Sequence, residues 1–199
     1  MKFLAFADLH QDKKKLKSLV ERAAKPDIDF VVCAGDLSIF GRGLREALEA
    51  FQTVRKKIYF IPGNHEEEIR GWEKLVEEYS FCENIHQKAL VLENYVFLGY
   101  GGSGFSQQDI EFRKKAREWY GEHQGKKIIL VTHGPPIGTK LDFIDGRQVG
   151  NLDYRRFIER IKPKVAISGH IHETAGIVDK IGPTQVINPG CEGMIIELK

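Results

Sequence analysis

The chain has 199 residues, of which 42% are hydrophobic and 29% charged, a composition typical of a folded domain with a substantial core. Its 30 basic and 28 acidic residues give a net charge of +2, which argues against a nucleic-acid or membrane-surface partner. Three widely spaced cysteines exclude a disulfide framework and a thiolate zinc site. Because the apolar N-terminal run is too short for a signal peptide or a membrane span, we expect a reduced, cytoplasmic protein.

Predicted strands and helices alternate along the chain. Short apolar runs predict buried strands at 2–7, 29–34, 57–61, 127–132 and 164–168. Helical spacing of apolar residues predicts helices at 12–24, 44–54, 66–79, about 108–120 and 151–161. Antiparallel pieces are predicted at 88–92 and 95–100 and, near the end of the chain, at 175–179, 184–187 and 193–198. This order predicts one α/β domain over residues 1–199, with parallel strands and added antiparallel ones.

Polar side chains follow five of the predicted strands. In α/β folds, ligands collect at the carboxyl ends of parallel strands, so we expect these side chains to meet. They are Asp8 and His10, Asp36, Asn64 and His65, His133, and His170 and His172. "GGSGF" at 101–105 has no lysine and serine or threonine after it, so a turn is a better interpretation than a phosphate loop. The irregular stretch 134–150 is long enough to suggest a functional loop that covers the site.

The residue types at these strand ends favour a pair of metal ions. In an extended segment, residues i and i+2 point to one side, so each Asp-x-His or His-x-His pair is expected to aim two ligands into one cavity. Gly35, Gly63 and Gly169 each precede a proposed ligand and allow close backbone approach. The set is too large for one zinc ion, and Asp36 is the natural bridge between two ions. Without thiolates, we expect divalent transition metals, with manganese favoured and iron, nickel, cobalt or zinc as alternatives.

As an ordered set, these motifs resemble the calcineurin-like metallophosphoesterase superfamily. The matching segments are Asp8-x-His10, Gly35-Asp36, Gly63-Asn64-His65-Glu66, His133-Gly134 and Gly169-His170-x-His172. The resemblance implies a four-layer α/β/β/α sandwich of two mixed β-sheets flanked by helices. It implies one ion held by Asp8, His10, Asp36 and His172, and a second held by Asp36, Asn64, His133 and His170. It also implies that His65 contacts the scissile phosphate and assists the leaving group.

Departures from the family pattern narrow the subgroup. Gln11 follows the first motif where many members carry glycine. Ile39 stands where the protein phosphatases of the superfamily carry an aspartate that orients the catalytic histidine, and what orients His65 is left open. The stretch "THGPP" with "GTKLD" downstream resembles the small, single-domain, phosphodiesterase-like members.

The functional hypothesis is metal-assisted hydrolysis of a small or nucleotide-like phosphodiester. In it, a hydroxide that bridges the two ions attacks phosphorus. A phosphomonoesterase or protein phosphatase with the same site is the first alternative, and a non-catalytic metal-binding interaction scaffold is the second. The expected partner is a small phosphate-ester substrate, without a membrane and without specific nucleic-acid binding, and the sequence leaves the oligomeric state open.

Overall fold

The structure of the protein is a computed structural model that describes residues 1–198, and its strands form two large sheets and a small hairpin. The strands are β1 (Lys2–Phe6), β2 (Phe30–Cys33), β3 (Ile58–Phe60), β4 (Cys82–Asn84), β5 (Lys88–Leu92), β6 (Tyr95–Tyr100), β7 (Lys127–Thr132), β8 (Phe143–Ile144), β9 (Arg147–Gln148), β10 (Val165–Ile167), β11 (Val178–Ile181), β12 (Thr184–Ile187) and β13 (Met194–Glu197). The helices are α1 (Lys13–Ala23), α2 (Leu44–Gln52), α3 (Asn64–Glu67), α4 (Trp72–Glu77), α5 (Ile110–His123) and α6 (Leu152–Ile161), with a 3₁₀ turn at His172–Thr174.

The two large sheets are both mixed. The first has the order β13-β1-β2-β3-β4, in which only β13 is antiparallel to its neighbour. The second has the order β11-β12-β10-β7-β6-β5, with a parallel centre and an antiparallel strand at each edge. β8 and β9 form the hairpin. The parallel centres place the carboxyl ends of several strands on one edge of each sheet, which is where ligands collect in α/β folds.

Three apolar layers hold the sheets and helices together. Within β1, Leu4 packs in the layer shared with α1 and α2, whereas Phe3 packs between the two sheets. The third layer joins the second sheet to α5 and α6 through residues such as Phe112 and Phe157. Strands that are buried on both faces require continuous apolar sequence, which explains the unbroken runs. The predicted four-layer α/β/β/α sandwich is confirmed.

Side-chain caps fix where the longer helices begin. The Asp12 carboxylate accepts a hydrogen bond from the backbone N–H of Lys15, and the Asp109 carboxylate accepts one from Phe112. The Asn151 side chain caps α6 in the same way. Such caps satisfy N–H groups that lack a partner in the first turn. Within residues 1–198, none of the helices combines the length and the apolar character needed to cross a bilayer.

Two predicted segments differ from the structure. The predicted helix at 66–79 is wrong as one element, because Gly71 adopts a positive φ of 82° and separates α3 from α4. The short strand β4 follows α4 and was not predicted. The stretch 134–150 contains the hairpin of β8 and β9, so it is partly regular. Segments of two or three residues are too short to give a periodic pattern in sequence.

His86 lies in the connection between β4 and β5 and is half-buried. Its Nδ1 accepts a hydrogen bond of 2.8 Å from the backbone N–H of Gly101. An accepting ring nitrogen has to be unprotonated. Burial lowers the pKa of His86 from its ordinary 6.5 to about 4. The folded protein therefore keeps this imidazole neutral at pH values where the unfolded chain protonates it.

We predict that His86 makes the fold sensitive to acid. The contribution of His86 to the free energy of unfolding is complete above pH 6.5. It is lost as the pH falls toward 4, a loss on the order of 3 kcal/mol. His86→Asn keeps an acceptor for Gly101 without a titrating group, so its stability is expected to fall less over this range. Urea unfolding of both proteins at pH 7 and pH 4.5 measures the difference. Equal losses in the two proteins would exclude this role for His86.

Candidate metal centre

The segments that follow five strands of the two sheets meet at one cluster, and most of them line a cavity of about 380 Å³. The loops after β1, β2 and β3 come from the first sheet, and those after β7 and β10 come from the second. Of the eight residues that the sequence singles out, Asn64 and His65 lie in α3, His172 lies in the 3₁₀ turn, and the others lie on these loops. The backbone N–H of Gly169 donates to the carbonyl of His133, and the backbone N–H of His170 donates to the Asp8 carboxylate. These bonds join the ends of β1, β7 and β10.

The carboxylate of Asp36 lies at the centre of the cluster and is buried. Its Oδ2 is 3.4 Å from Nε2 of His133, 3.5 Å from Nε2 of His10 and 3.9 Å from Nε2 of His65. Its Oδ1 accepts a hydrogen bond from the backbone N–H of His65 at 3.0 Å. Three imidazoles from three separate loops therefore surround one carboxylate.

The remaining predicted ligands form groups on either side of Asp36. Asp8, His10 and His172 bring their ligand atoms within 4.8 Å of one another, and Asp36, His133 and His170 do the same. The Nε2 atoms of His10 and His172 are 3.0 Å apart. Oδ1 of Asn64 lies 3.0 Å from Nε2 of His133, which adds the amide oxygen to the second group.

These side chains fit a pair of divalent ions. The set contains carboxylates, an amide oxygen and imidazoles but no thiolate, which suits transition metals with mixed nitrogen and oxygen ligands. The buried Nε2 of His170 has no hydrogen-bond partner among the described residues. A buried polar atom without a partner is costly, and ligation of a cation would satisfy it.

The electrostatics at Asp36 also favour a cation. Burial opposes the charged form of both Asp36 and His133. Nevertheless, the hydrogen bond and charge of His133 hold the pKa of Asp36 below its usual value, and Asp36 holds the pKa of His133 above its usual value. A divalent ion would supply the same positive charge and displace the proton, because a ligating imidazole has to be neutral.

Left-handed backbone, not extended backbone, aims the side chains inward. Asp8, His10, Asp36 and His170 have φ values of 57°, 44°, 54° and 71°. The expectation that Asp8 with His10, and His170 with His172, point together from extended segments is therefore wrong, although both pairs reach the cluster. Positive φ costs about 1 kcal/mol or more at each non-glycine residue and is concentrated at functional sites.

Glycines let the loops approach closely, as the sequence predicts. A Cβ at Gly63 would overlap the Asp36 carboxylate, and one at Gly35 would lie 2.5 Å from Nδ1 of His133. One at Gly169 would lie 2.7 Å from an oxygen of Asp8. No side chain fits at these three positions without moving a proposed ligand.

Glu66 is a structural part of the site that the sequence analysis did not assign. Its side chain is fully buried, and its carboxylate accepts hydrogen bonds from the backbone N–H groups of Asp36, Ser38 and Gly63 and from the Ser38 hydroxyl. It thereby ties the loop after β2 to the start of α3. Its place directly after His65 in the motif was the only sequence signal.

Ring packing and the Asp36 carboxylate, which lies 3.9 Å from Nε2, position His65. The ring centroid of His65 lies 4.2 Å from that of Phe40 and 4.7 Å from that of His10. Its Nδ1 is buried and has no hydrogen-bond partner within residues 1–198. The contacts with Phe40 and His10 therefore fix the position of the ring.

The 134–150 loop does not have the role that its length suggests. Asp142 is buried and accepts hydrogen bonds from the backbone N–H groups of Gly138 and Thr139, so it stabilises the loop itself. Asp145 and Arg147 line a separate cavity. Among the described residues, those at 134–150 do not line the cavity at Asp36, and the expectation of a covering loop is wrong.

Comparison with known proteins shows the family of the chain. Residues 1–174 match the family described as calcineurin-like phosphoesterase. The chain belongs to this family. Members of the family depend on two metal ions and act on phosphate esters.

Relatives cover nearly the whole chain. An uncharacterized protein of Methanocaldococcus jannaschii is 33% identical over 95% of this chain and 88% of its own length. The structure of TT1561 of Thermus thermophilus has a TM-score of 0.77 at 14% identity and covers 96% of this chain and 90% of its own. A dimetal phosphatase from Danio rerio has a TM-score of 0.62 at 11% identity, with coverage of 94% and 86%. These two structures share the fold.

We predict that Gly63→Ala disturbs the metal centre without straining the backbone. Gly63 has an extended backbone that any residue adopts, so the effect comes from contact of the new methyl group with Asp36. Affinity for Mn²⁺, measured by isothermal titration calorimetry, is expected to fall by about tenfold or more, which corresponds to about 1.4 kcal/mol.

Gly121→Ala is the matched control. Gly121 lies in α5, and a Cβ there meets open space, so affinity for Mn²⁺ should not change and stability should rise by up to about 1 kcal/mol. Wild-type affinity in Gly63→Ala would contradict the close packing of Gly63 against a metal ligand.

Proposed function

We propose that the protein is a dinuclear-metal-dependent phosphodiesterase that acts on small or nucleotide-like esters through a single domain spanning residues 1–199. The observation that carries the proposal is the buried Asp36 carboxylate, which several histidines from separate loops surround. A carboxylate in this position is suited to bridge two cations.

The proposed ligand sets follow the two groups of side chains. Asp8, His10, Asp36 and His172 would hold one ion. Asp36, Asn64, His133 and His170 would hold the other. Manganese is the favoured ion, since the donors are oxygen and imidazole nitrogen without thiolate.

The two ions, when bound, neutralise the phosphate oxygens and lower the pKa of coordinated water. The protein itself would position the ester and supply a proton to its leaving oxygen. His65 lines the cavity, with its Nε2 3.9 Å from the Asp36 carboxylate. In this position its imidazole is proposed to donate a proton to the departing oxygen, or to hydrogen-bond it.

The charge of the cavity favours a diester over a monoester. Among the residues that the structure describes, those lining the cavity include no lysine or arginine. A monoester carries up to two negative charges at neutral pH and gains more from such a cation than a diester, which carries one. The monoesterase alternative therefore lacks a group that it would use, whereas the diesterase does not need it.

Other observations bear on the remaining expectations. All seven proposed ligands are present and converge, which weighs against the non-catalytic scaffold.

Cys33, Cys82 and Cys191 are free thiols, which supports the proposal of a reducing, cytoplasmic location.

The experiment that tests the proposed function compares two substrates. Protein stripped of metal is assayed on bis-p-nitrophenyl phosphate and p-nitrophenyl phosphate after addition of Mn²⁺, Ni²⁺, Zn²⁺ or Mg²⁺. We expect metal-dependent turnover, strongest with Mn²⁺, and a higher kcat/KM for the diester. Asp36→Asn is the control and should be inactive with every metal. Faster hydrolysis of the monoester would favour the alternative, and inertness toward both would contradict catalysis.

We further predict that His65→Asn separates catalysis from metal binding. The variant should retain the wild-type metal content, measured by mass spectrometry of the digested protein, because His65 is not among the proposed ligands. Its kcat on an alkyl ester, whose leaving oxygen needs a proton, should fall by about 10²- to 10⁴-fold. The loss on a p-nitrophenyl ester should be smaller. Unchanged kcat on the alkyl ester would remove His65 from the mechanism.

A further inference from the structure

Two exposed aromatic rings lie against histidines of the metal centre. The ring of Phe40 is 4.2 Å from that of His65, and the ring of Phe105 is 4.2 Å from that of His170, both between centroids. Phe40 is 56% exposed and Phe105 is 59% exposed. They come from different loops, one after β2 and one between β6 and α5. Solvent-exposed phenylalanine contributes little to a core, so these rings call for another explanation.

Phe40 occupies a turn position that disfavours phenylalanine. Ile39 and Arg42 exchange two backbone hydrogen bonds of 3.1 and 3.0 Å, and the two residues between them, Phe40 and Gly41, have φ values of 48° and 83°. Positive φ at both central residues is the signature of a type I′ turn, where asparagine, aspartate and glycine are preferred. The strain at Phe40 is not repaid by burial in a core, and its contact with the His65 ring still leaves the side chain 56% exposed.

Phe105 is held in place by a well-anchored loop. The Ser103 hydroxyl donates to the Asp109 carboxylate at 2.6 Å and accepts a hydrogen bond from the Tyr154 hydroxyl at 3.0 Å. The backbone N–H of Gly102 donates to the carbonyl of Pro62 at 2.9 Å, which joins this loop to the one that carries His65. Phe105 therefore projects from a fixed base and lines the cavity next to His170.

We propose that Phe40 and Phe105 are specificity-determining residues that contact a nucleobase of the ester by stacking. This inference rests on the proposed function and narrows it to nucleobase-bearing phosphate esters. Base–aromatic stacking tolerates any base, and the cavity of about 380 Å³ is within the range of small-molecule sites. Ile39 and Phe105 line this cavity, and Phe40 packs on His65, which lines it too.

The test measures binding rather than turnover. The Mn²⁺-loaded protein is titrated calorimetrically with AMP and with ribose 5-phosphate, which share the phosphate and the sugar and differ in the base. We expect AMP to bind about 5- to 100-fold more tightly, the effect of one stacked base. Phe40→Asn and Phe105→Ala should each reduce this ratio toward one; the ratio is compared because both rings also contact histidines of the metal centre.

Melting temperatures of the variants show whether a lost preference for AMP comes from a destabilised fold. Phe40→Asn places a preferred residue at positive φ, so its melting temperature should rise by about 2–4 °C while the preference for AMP falls. Phe143→Ala is the matched control, because Phe143 is 41% exposed on the hairpin, whereas Phe40 and Phe105 are the rings that pack on His65 and His170. It should keep the wild-type ratio.

Equal affinity of the wild-type protein for AMP and ribose 5-phosphate would overturn the inference, as would an unchanged ratio in both phenylalanine variants. Hydrolysis of bis-p-nitrophenyl phosphate by the same preparation shows whether the proposed function stands. Turnover without base preference removes only the stacking role. Absence of turnover with every metal removes the proposed function, whatever the binding ratio.

Discussion

The burial of the Asp36 carboxylate is the constraint on which the rest of the site depends. A buried carboxylate is stable only if positive charge or hydrogen bonds compensate it. The imidazoles of His133 and His10 and the backbone N–H of His65 supply this compensation. They come from both sheets, so the carboxylate fixes how the two sheets meet at their carboxyl ends. The carbonyl of Ala34 near Nδ1 of His133, at 2.9 Å, reinforces this junction.

The surroundings of Asp36 cost stability that the core offsets. Four of the proposed ligands adopt left-handed backbone, and the glycines beside them leave no room for a side chain. Glu66 is a further buried carboxylate, and its hydrogen bonds hold the turn after β2. The three apolar layers supply the burial that offsets these costs. Such a preorganised arrangement is expected where metals and substrate are held rather than where a chain is merely folded.

Sequence predicted the fold well where burial alone decides the structure. Parallel strands that are buried on both faces have continuous apolar sequences, so polar residues directly after them are easy to recognise. The site residues were therefore found, although their roles as ligands stay predictions. The left-handed backbone at Asp8 and Asp36 was missed because sequence spacing does not report φ. The break at Gly71 and the place of Phe40 beside His65 were missed because they depend on turns and contacts between loops.

The presence of two ions that share Asp36 is tested most directly by X-ray diffraction from crystals grown with Mn²⁺. We expect an anomalous difference map to show two peaks about 3.5–4 Å apart, both within bonding distance of the Asp36 carboxylate. A single peak, or two peaks of which only one contacts Asp36, would contradict the account.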